Sequence, residues 1–143
     1  MLVPMAGYSG TPLPKKLGIK AGHRVAIVHA PEGFAATLGE VPPGVTAIAS
    51  LKGTQPLDVI VLFVKSRAAF EKELPEAAVR MVDSGGLWIA WPKKASKVPT
   101  DMTEDVIREV ALPGGLVDNK VCAIDETWSG LRLVVRVELR GKR

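Results

Sequence analysis

The segment Asp58 to Val64 (DVIVLFV) constrains the fold most, because it places six apolar, β-prone residues in succession. A half-exposed strand would alternate apolar and polar residues, whereas a strand that is covered on both faces reads as a continuous apolar run. β-branched and aromatic side chains also favour the pleated surface of a sheet. The sequence therefore predicts a central strand with packed layers on both sides.

Further apolar runs alternate with helical stretches along the chain. Strands are also predicted over Arg24 to Ala30, Val45 to Ser50 and Leu87 to Trp91. Helix starts are predicted at Thr11-Pro12, Pro31, Ser66 and the capping-box pair Asp101 and Glu104. Pro75 is expected to kink or split the third helix. Strands that alternate with helices form a parallel sheet with right-handed crossovers.

The last part of the chain predicts a hairpin. A strand over Lys120 to Trp128 meets a tight turn at Ser129-Gly130, and a return strand over Leu131 to Arg140 follows. Asp83 to Gly86 reads as another turn. We therefore predict an α/β fold: a single three-layer domain over residues 10–140, with a mostly parallel sheet and a C-terminal antiparallel hairpin. Residues 1–9 are expected to form a flexible arm and residues 141–143 a basic tail.

Composition limits the classes of function. The single cysteine, Cys122, cannot form an intrachain disulfide, and its apolar neighbours predict a small buried hydrophobe, which suits a reducing cytoplasm. No apolar stretch approaches the ~18 residues that a membrane span needs. The net charge of +4 permits an anionic partner, nucleic acid included, without requiring one. Two histidines and one cysteine offer no zinc-ligand set.

Three segments resemble class I methyltransferases that use S-adenosylmethionine. Leu17 to Val25 (LGIKAGHRV) is similar to the approach to that family's first strand, Asp58-Val59-Ile60 to the opening of its fourth, and Gly85 to Ile89 (GGLWI) to that of its fifth. The resemblance implies a methyltransferase-like, Rossmann-like fold.

The cofactor motif of that family departs from its pattern here. The family has an acidic residue in the first strand and then a glycine-rich loop, where this chain has Ile27 followed by His29 and Pro31; Gly33 remains. Proline fixes φ and removes an N–H, so we expect the loop to differ from the family's shape. Ser50 lies near the position where the family favours an acid for the ribose hydroxyls. No cofactor is therefore expected, with S-adenosylmethionine kept as an alternative.

Over Gly7 to about Arg140 the chain also resembles a family of uncharacterised bacterial proteins, a domain of unknown function. The likeness lies in the segments HAPEGF, DVIVLFVKSR, GGLWIAWPKKAS, PTDMTEDVIREVALP and LVDNKVCAIDETWSGLRLVV. It implies the same degenerate methyltransferase-like fold and a bacterial origin, without an activity.

Ligands of open α/β sheets gather outside the carboxyl ends of the strands. The predicted strand ends and the hairpin turn bring a histidine, four cations, two tryptophans and two acids to that edge: His29, Glu32, Lys65, Arg67, Trp91, Lys93, Lys94, Glu126 and Trp128. The cations would attract an anion, helped by the helix start after Ser66, and the tryptophans would stack on a ring.

Each of these residues also has a structural interpretation. The lysines can be solvated loop charges, and Trp91 and Trp128 can pack in the core. His29 with Glu32 would form an acid/base pair, or His29 would only cap the Pro31 turn.

Three functions follow from these observations. The first is a non-catalytic methyltransferase-like domain that binds a small anionic ligand or a protein partner at the strand ends. The alternatives are a methyltransferase with a non-standard cofactor loop and a nucleic-acid-binding protein. A homo-oligomer formed through an open sheet edge is a further expectation.

Overall fold

The computed structural model describes residues 11–143, so the arm predicted over residues 1–9 lies outside the described residues. Its sheet has six strands in the order β2-β1-β3-β4-β6-β5. The strands are β1 (Arg24–Val28), β2 (Thr46–Ile48), β3 (Leu57–Phe63), β4 (Met81–Pro92), β5 (Leu116–Ala123) and β6 (Trp128–Val135). β1 to β4 pair in parallel, and β6 runs antiparallel to β4 and β5. The predicted α/β sheet with a terminal antiparallel hairpin is confirmed.

Helices cover both faces of the sheet. They are α1 (Leu13–Leu17), α2 (Phe34–Leu38), α3 (Arg67–Arg80) and α4 (Glu104–Ala111). α3 buries Phe70 on one face together with α4, whereas α1 and α2 bury Leu17 and Phe34 on the other. The indole Nε1 of Trp88 donates to the Leu17 carbonyl at 3.0 Å, which joins the end of α1 to β4. No helix among residues 11–143 is long and apolar enough to cross a membrane.

The strand β3 is central, as its apolar run predicts. Ile60 and Leu62 belong to the core under α3 and α4, and Val59 and Val61 to the core under α1 and α2. Successive side chains of a strand point to opposite faces, so one strand supplies both cores. Burying an aliphatic side chain of this size stabilises the fold by about 1.5–3 kcal/mol.

The helix α3 begins where the sequence indicates. The hydroxyl of Ser66 accepts a hydrogen bond from the Ala69 amide at 3.1 Å, an N-cap contact. The predicted split at Pro75 is wrong, because the helix continues to Arg80. Pro75 lies on the exposed side, while Phe70 and Leu74 remain buried and hold both halves of the helix against the sheet.

The start of α4 is close to the prediction, but its cap differs. Thr103, and not Asp101, caps the helix, since its hydroxyl accepts from the Val106 amide at 3.1 Å. Asp101 instead accepts a hydrogen bond from the Arg67 amide at 2.7 Å. The carboxylate is therefore used to tie two loops together.

The predicted turn at Asp83 to Gly86 is wrong, because these residues belong to β4, which begins at Met81. The pairing of β4 with β3 shifts register between Leu57 and Val59. A Cβ added at Gly85 would stand 2.7 Å from the carbonyl oxygen of Asp58. Glycine is needed here for a close approach of two strands rather than for a turn.

The hairpin turns earlier than predicted. Residues 124–127 connect the strands, and the Asp125 carboxylate accepts from the amides of Thr127 and Trp128, both at 2.8 Å. Gly130 lies inside β6, where a Cβ would come within 3.1 Å of Trp88. The return strand ends at Val135 instead of Arg140, and a short 3-10 turn over Val137–Leu139 follows.

Cys122 is only partly buried, at the edge of the core that contains Trp88, so the prediction of a buried residue holds in part. Burial raises the pKa of its thiol.

The C-terminal residues fold back onto the sheet. Arg143 bonds the Asp83 carboxylate at 2.7 Å and donates to the carbonyl oxygens of Ala78 and Met81 at the end of α3. The amide of Gly141 also donates to Asp83. These contacts, the Gly141 amide first, lower the pKa of the Asp83 carboxyl.

We expect Gly85→Ala to lower the free energy of unfolding by about 1–3 kcal/mol, because its methyl group would overlap a backbone oxygen. Gly114→Ala is the matched control, since nothing lies within 4 Å of the added Cβ. Urea denaturation monitored by tryptophan fluorescence measures both. Equal midpoints for the two variants would contradict the close strand approach.

Candidate functional site

The carboxyl ends of β1, β3 and β4 lie along one edge of the sheet. Two hydrogen bonds join the loops there: the Thr100 hydroxyl donates to the Lys65 carbonyl at 2.6 Å, and the Arg67 amide donates to Asp101. We call this connection the loop bridge. Lys65 lines one cleft and Thr100 another, so the residues predicted for a single edge site lie near two separate clefts.

The first of these, cleft A, has a volume of about 350 Å³. The loop after β1, the end of β3, the first turns of α3 and the start of β6 form it. Phe63 and Trp128 supply its aromatic surface, and their rings meet edge to face with centroids 5.0 Å apart. Phe34 extends the row at 5.0 Å from Phe63. Trp128 is 7% exposed, so it both packs in the core and borders the cleft.

His29 stands at the mouth of cleft A and bonds Glu73 of α3, not Glu32. The distance from Nε2 to the Glu73 Oε1 is 2.8 Å. A carboxylate oxygen only accepts, so Nε2 carries the hydrogen. The predicted acid/base pair of His29 and Glu32 is therefore not formed. Glu73 takes the place of Glu32, which is an exposed loop residue.

The loop after β1 keeps backbone conformations that glycine usually adopts. φ is +60° at His29 and +84° at Gly33. The amides of Ala30, Glu32 and Gly33 donate to no acceptor among residues 11–143. His29 therefore has a left-handed backbone, which is uncommon for residues other than glycine.

The second cleft, cleft B, has a volume of about 560 Å³. Trp91 and Met102, both buried, form its base, and Lys94 and the start of α4 form its sides. Arg108 of α4 bonds Asp118 at 3.1 Å and Glu104 at 2.8 Å. The bond to Asp118 is the main cause of the raised pKa of Arg108.

The predicted site residues separate into three groups. His29, Lys65 and Trp128 line cleft A, and Trp91 and Lys94 line cleft B. The other four line neither cleft: Glu32, Arg67, Lys93 and Glu126.

Bonds within the protein explain two of these outliers. Arg67 bonds Glu71 at 3.0 Å and Glu109 at 3.1 Å, and the hydrogen bond to Glu71 is the largest cause of its raised pKa. The backbone amide of Lys93 donates a hydrogen bond to the Thr127 carbonyl at 2.7 Å, which joins the end of β4 to the hairpin turn. A ligand-binding role for any of the predicted residues stays a prediction.

Some residues of the site escaped the sequence analysis. Glu104 and Arg108 are four residues apart on a predicted helix, a spacing that indicates an ion pair. Glu73 had no such signal, because its partner His29 lies 44 residues away.

Two other features stand apart from the strand ends. A larger apolar groove of about 960 Å³ lies between α3 and α4 at the opposite end of the sheet. His23 is bonded through Nδ1 to the Lys20 amide before β1. Within residues 11–143, no three His, Cys, Asp or Glu side chains are grouped to hold a metal ion.

The fold is shared with solved methyltransferases. A candidate type 11 methyltransferase from Sulfolobus solfataricus is 17% identical and superposes with a TM-score of 0.63, over 87% of this chain and 90% of that one. An S-adenosylmethionine-dependent methyltransferase from Aquifex aeolicus is also 17% identical and superposes with a TM-score of 0.56, over 85% of this chain and 87% of that one. Aeropyrum pernix fibrillarin, solved with natively bound S-adenosylmethionine, is 15% identical with a TM-score of 0.54, covering 90% and 70%.

At these identities the likeness shows the fold alone. It confirms the methyltransferase-like fold that the sequence segments imply. No family model matches the chain, and no curated protein does. The resemblance to a bacterial family of unknown function therefore rests on the quoted segments.

We expect His29→Gly to be more stable than His29→Ala by about 1 kcal/mol, because a left-handed backbone penalises any side chain with a Cβ. Gly33→Ala tests the same effect at the second position, where no atom crowds the added methyl group. Urea denaturation of the three variants measures it. Identical stabilities of the alanine and glycine variants at position 29 would show that this backbone is unstrained.

Proposed function

We propose that the protein binds a small anionic ligand with a flat apolar group in cleft A, without catalysing a reaction on it. The observation that carries this proposal is the position of Lys65. Lys65 lines cleft A, and its exposed side chain has no carboxylate partner among the described residues. A nearby cation, Arg67, is by contrast bonded to two carboxylates.

The surroundings of Lys65 favour an anion further. The amino terminus of α3, which is 14 residues long, begins beside it at Ser66. Unpaired N–H groups at a helix start carry partial positive charge. The amides of Arg67 and Ala69 are bonded to Asp101 and Ser66, so of the first three amides of α3 that of Ala68 is left for an anion held by Lys65.

The apolar part of cleft A favours a ring. Phe63, Pro31 and Trp128 line it, and the volume lies in the usual range of small-molecule sites. A ring joined to an anion, as in a nucleoside monophosphate, combines both features. The same two features do not describe a flat protein interface, so a small ligand is favoured over a protein partner.

Binding is favoured over catalysis by an activated nucleophile, because the polar groups of cleft A bond one another. The Ser66 hydroxyl accepts a hydrogen bond from the Ala69 amide, and the His29 ring is hydrogen-bonded to the Glu73 carboxylate. No hydrogen bond joins a hydroxyl to His29 among residues 11–143. An activated nucleophile would need such a contact.

Calorimetric titration with adenosine monophosphate tests the proposal. We expect Lys65→Ala to weaken binding at least about tenfold, or 1.4 kcal/mol, because Lys65 is the one Lys or Arg among the described residues that line cleft A. Lys72→Ala is the matched control, since Lys72 is exposed on α3 away from the cleft. Equal losses in both variants, or no heat with any nucleoside monophosphate, would overturn it.

The second candidate is methyl transfer from S-adenosylmethionine. It is supported by the methyltransferase fold and by the glycine-like backbone with open amides after β1. It predicts micromolar affinity for S-adenosylmethionine, about −8 kcal/mol. A flat titration, with a folded protein that still binds a nucleoside monophosphate, would exclude it. Nucleic-acid binding is less favoured, because Arg67 and Arg108 are neutralised by carboxylates.

A further inference from the structure

Side chains of opposite charge line cleft B, Lys94 from the turn after β4 and Glu104 and Asp105 from α4, and no ion pair joins Lys94 to either acid. The loop bridge separates it from cleft A, and the two share no lining residue. An inference about cleft B is therefore independent of the function proposed for cleft A.

One wall carries excess negative charge. Arg108 bonds three carboxylates, those of Glu104 at 2.8 Å, Asp105 at 3.2 Å and Asp118 at 3.1 Å. Asp118 belongs to β5 and does not line cleft B, so Glu104, Asp105 and Arg108 give the α4 wall a formal surplus of one negative charge.

The other wall carries an unused cation. Lys94 lines cleft B from the turn after β4, and no carboxylate lies within ion-pair distance of its ammonium group among residues 11–143. No salt bridge connects Lys94 to Glu104 or Asp105 across the cleft. Unlike charges that line one cleft without pairing are complementary to a ligand that carries both signs.

The base between the walls is apolar. Trp91 is 7% exposed and Met102 is 3% exposed, so both present one edge to the cleft and pack in the core with the rest. A methionine and an indole edge suit an aliphatic chain, because each gives dispersion contacts without needing a hydrogen bond.

We propose that cleft B binds a small zwitterion, with an ammonium group at Glu104 and Asp105 and a carboxylate at Lys94. The carbon chain between the two charged groups packs on Trp91 and Met102. This assigns the cleft an amino-acid-like ligand, chemically distinct from the ring-bearing anion of cleft A.

A series of ω-amino acids tests the proposal, because their charges are separated by a rising number of methylene groups. Glycine, γ-aminobutyrate and 6-aminohexanoate are titrated into the ¹⁵N-labelled full chain and followed by NMR. We expect one length to bind best and to shift the amides of Lys94, Thr103 and Glu104. Hexanoate and hexylamine, which carry one charge each, should bind at least about tenfold more weakly.

Two variants locate the charges. Lys94→Ala and Glu104→Gln should each weaken the best zwitterion about tenfold, because each removes one charged contact. Lys72→Ala is the matched control, and its affinity should equal that of the parent chain. Thermal unfolding of every variant checks that the fold is retained. Glutamine keeps a hydrogen-bond acceptor for Arg108, so the α4 wall is preserved in the second variant.

Three results would overturn the proposal. They are no amide shifts at about 20 mM of any ω-amino acid, equal binding of hexanoate or hexylamine, and unchanged affinity in folded Lys94→Ala. Adenosine monophosphate titrated into the same variant separates the two clefts. Its affinity depends on Lys65 and not on Lys94, so a failure in one cleft leaves the other proposal standing.

Discussion

The burial of β3 on both faces is the constraint on which the rest of the molecule depends. Its alternating side chains supply the core under α3 and α4 through Ile60 and Leu62, and the opposite core through Val59 and Val61. Both helical layers are therefore held in place by one strand. The same strand ends at Phe63, which lines cleft A, so the position of this cleft follows from the packing of the core.

Local signals were sufficient to predict most elements, and glycine was the main source of error. The apolar run of β3 and the Ser66 cap act within a few residues, so the sequence shows them directly. Gly85 and Gly130 were assigned to turns, yet both lie inside strands, where the carbonyl of Asp58 and the ring of Trp88 leave no room for a Cβ. Glycine is found both in turns and where two backbone segments come close together. Only the residues that contact it in the folded protein show which of the two applies.

The site was predictable to the level of the sheet edge and no further. Parallel strands place their carboxyl ends together, so His29 and Lys65 were expected at one edge, and they share cleft A. Which cation lacks an ion-pair partner depends on contacts between residues that are far apart in the sequence. Arg80 shows the same effect inside the protein: it is 6% exposed, and its guanidinium bonds the carbonyl groups of Leu51, Lys52 and Gln55, a purely structural use that sequence spacing does not reveal.

The fold and the charged side chains at the strand ends carry different information about this protein. A fold shared at 17% identity fixes where strand ends meet, and leaves the side chains there to define the ligand. Arg67 and Arg108 are bonded to carboxylates and serve the loops and α4. Lys65 and Lys94 have no ion-pair partner within residues 11–143, and each lines a different cleft with its own apolar residues. Because an unpaired cation at a partly apolar cleft gains from a bound anion, both proposals depend on these two lysines.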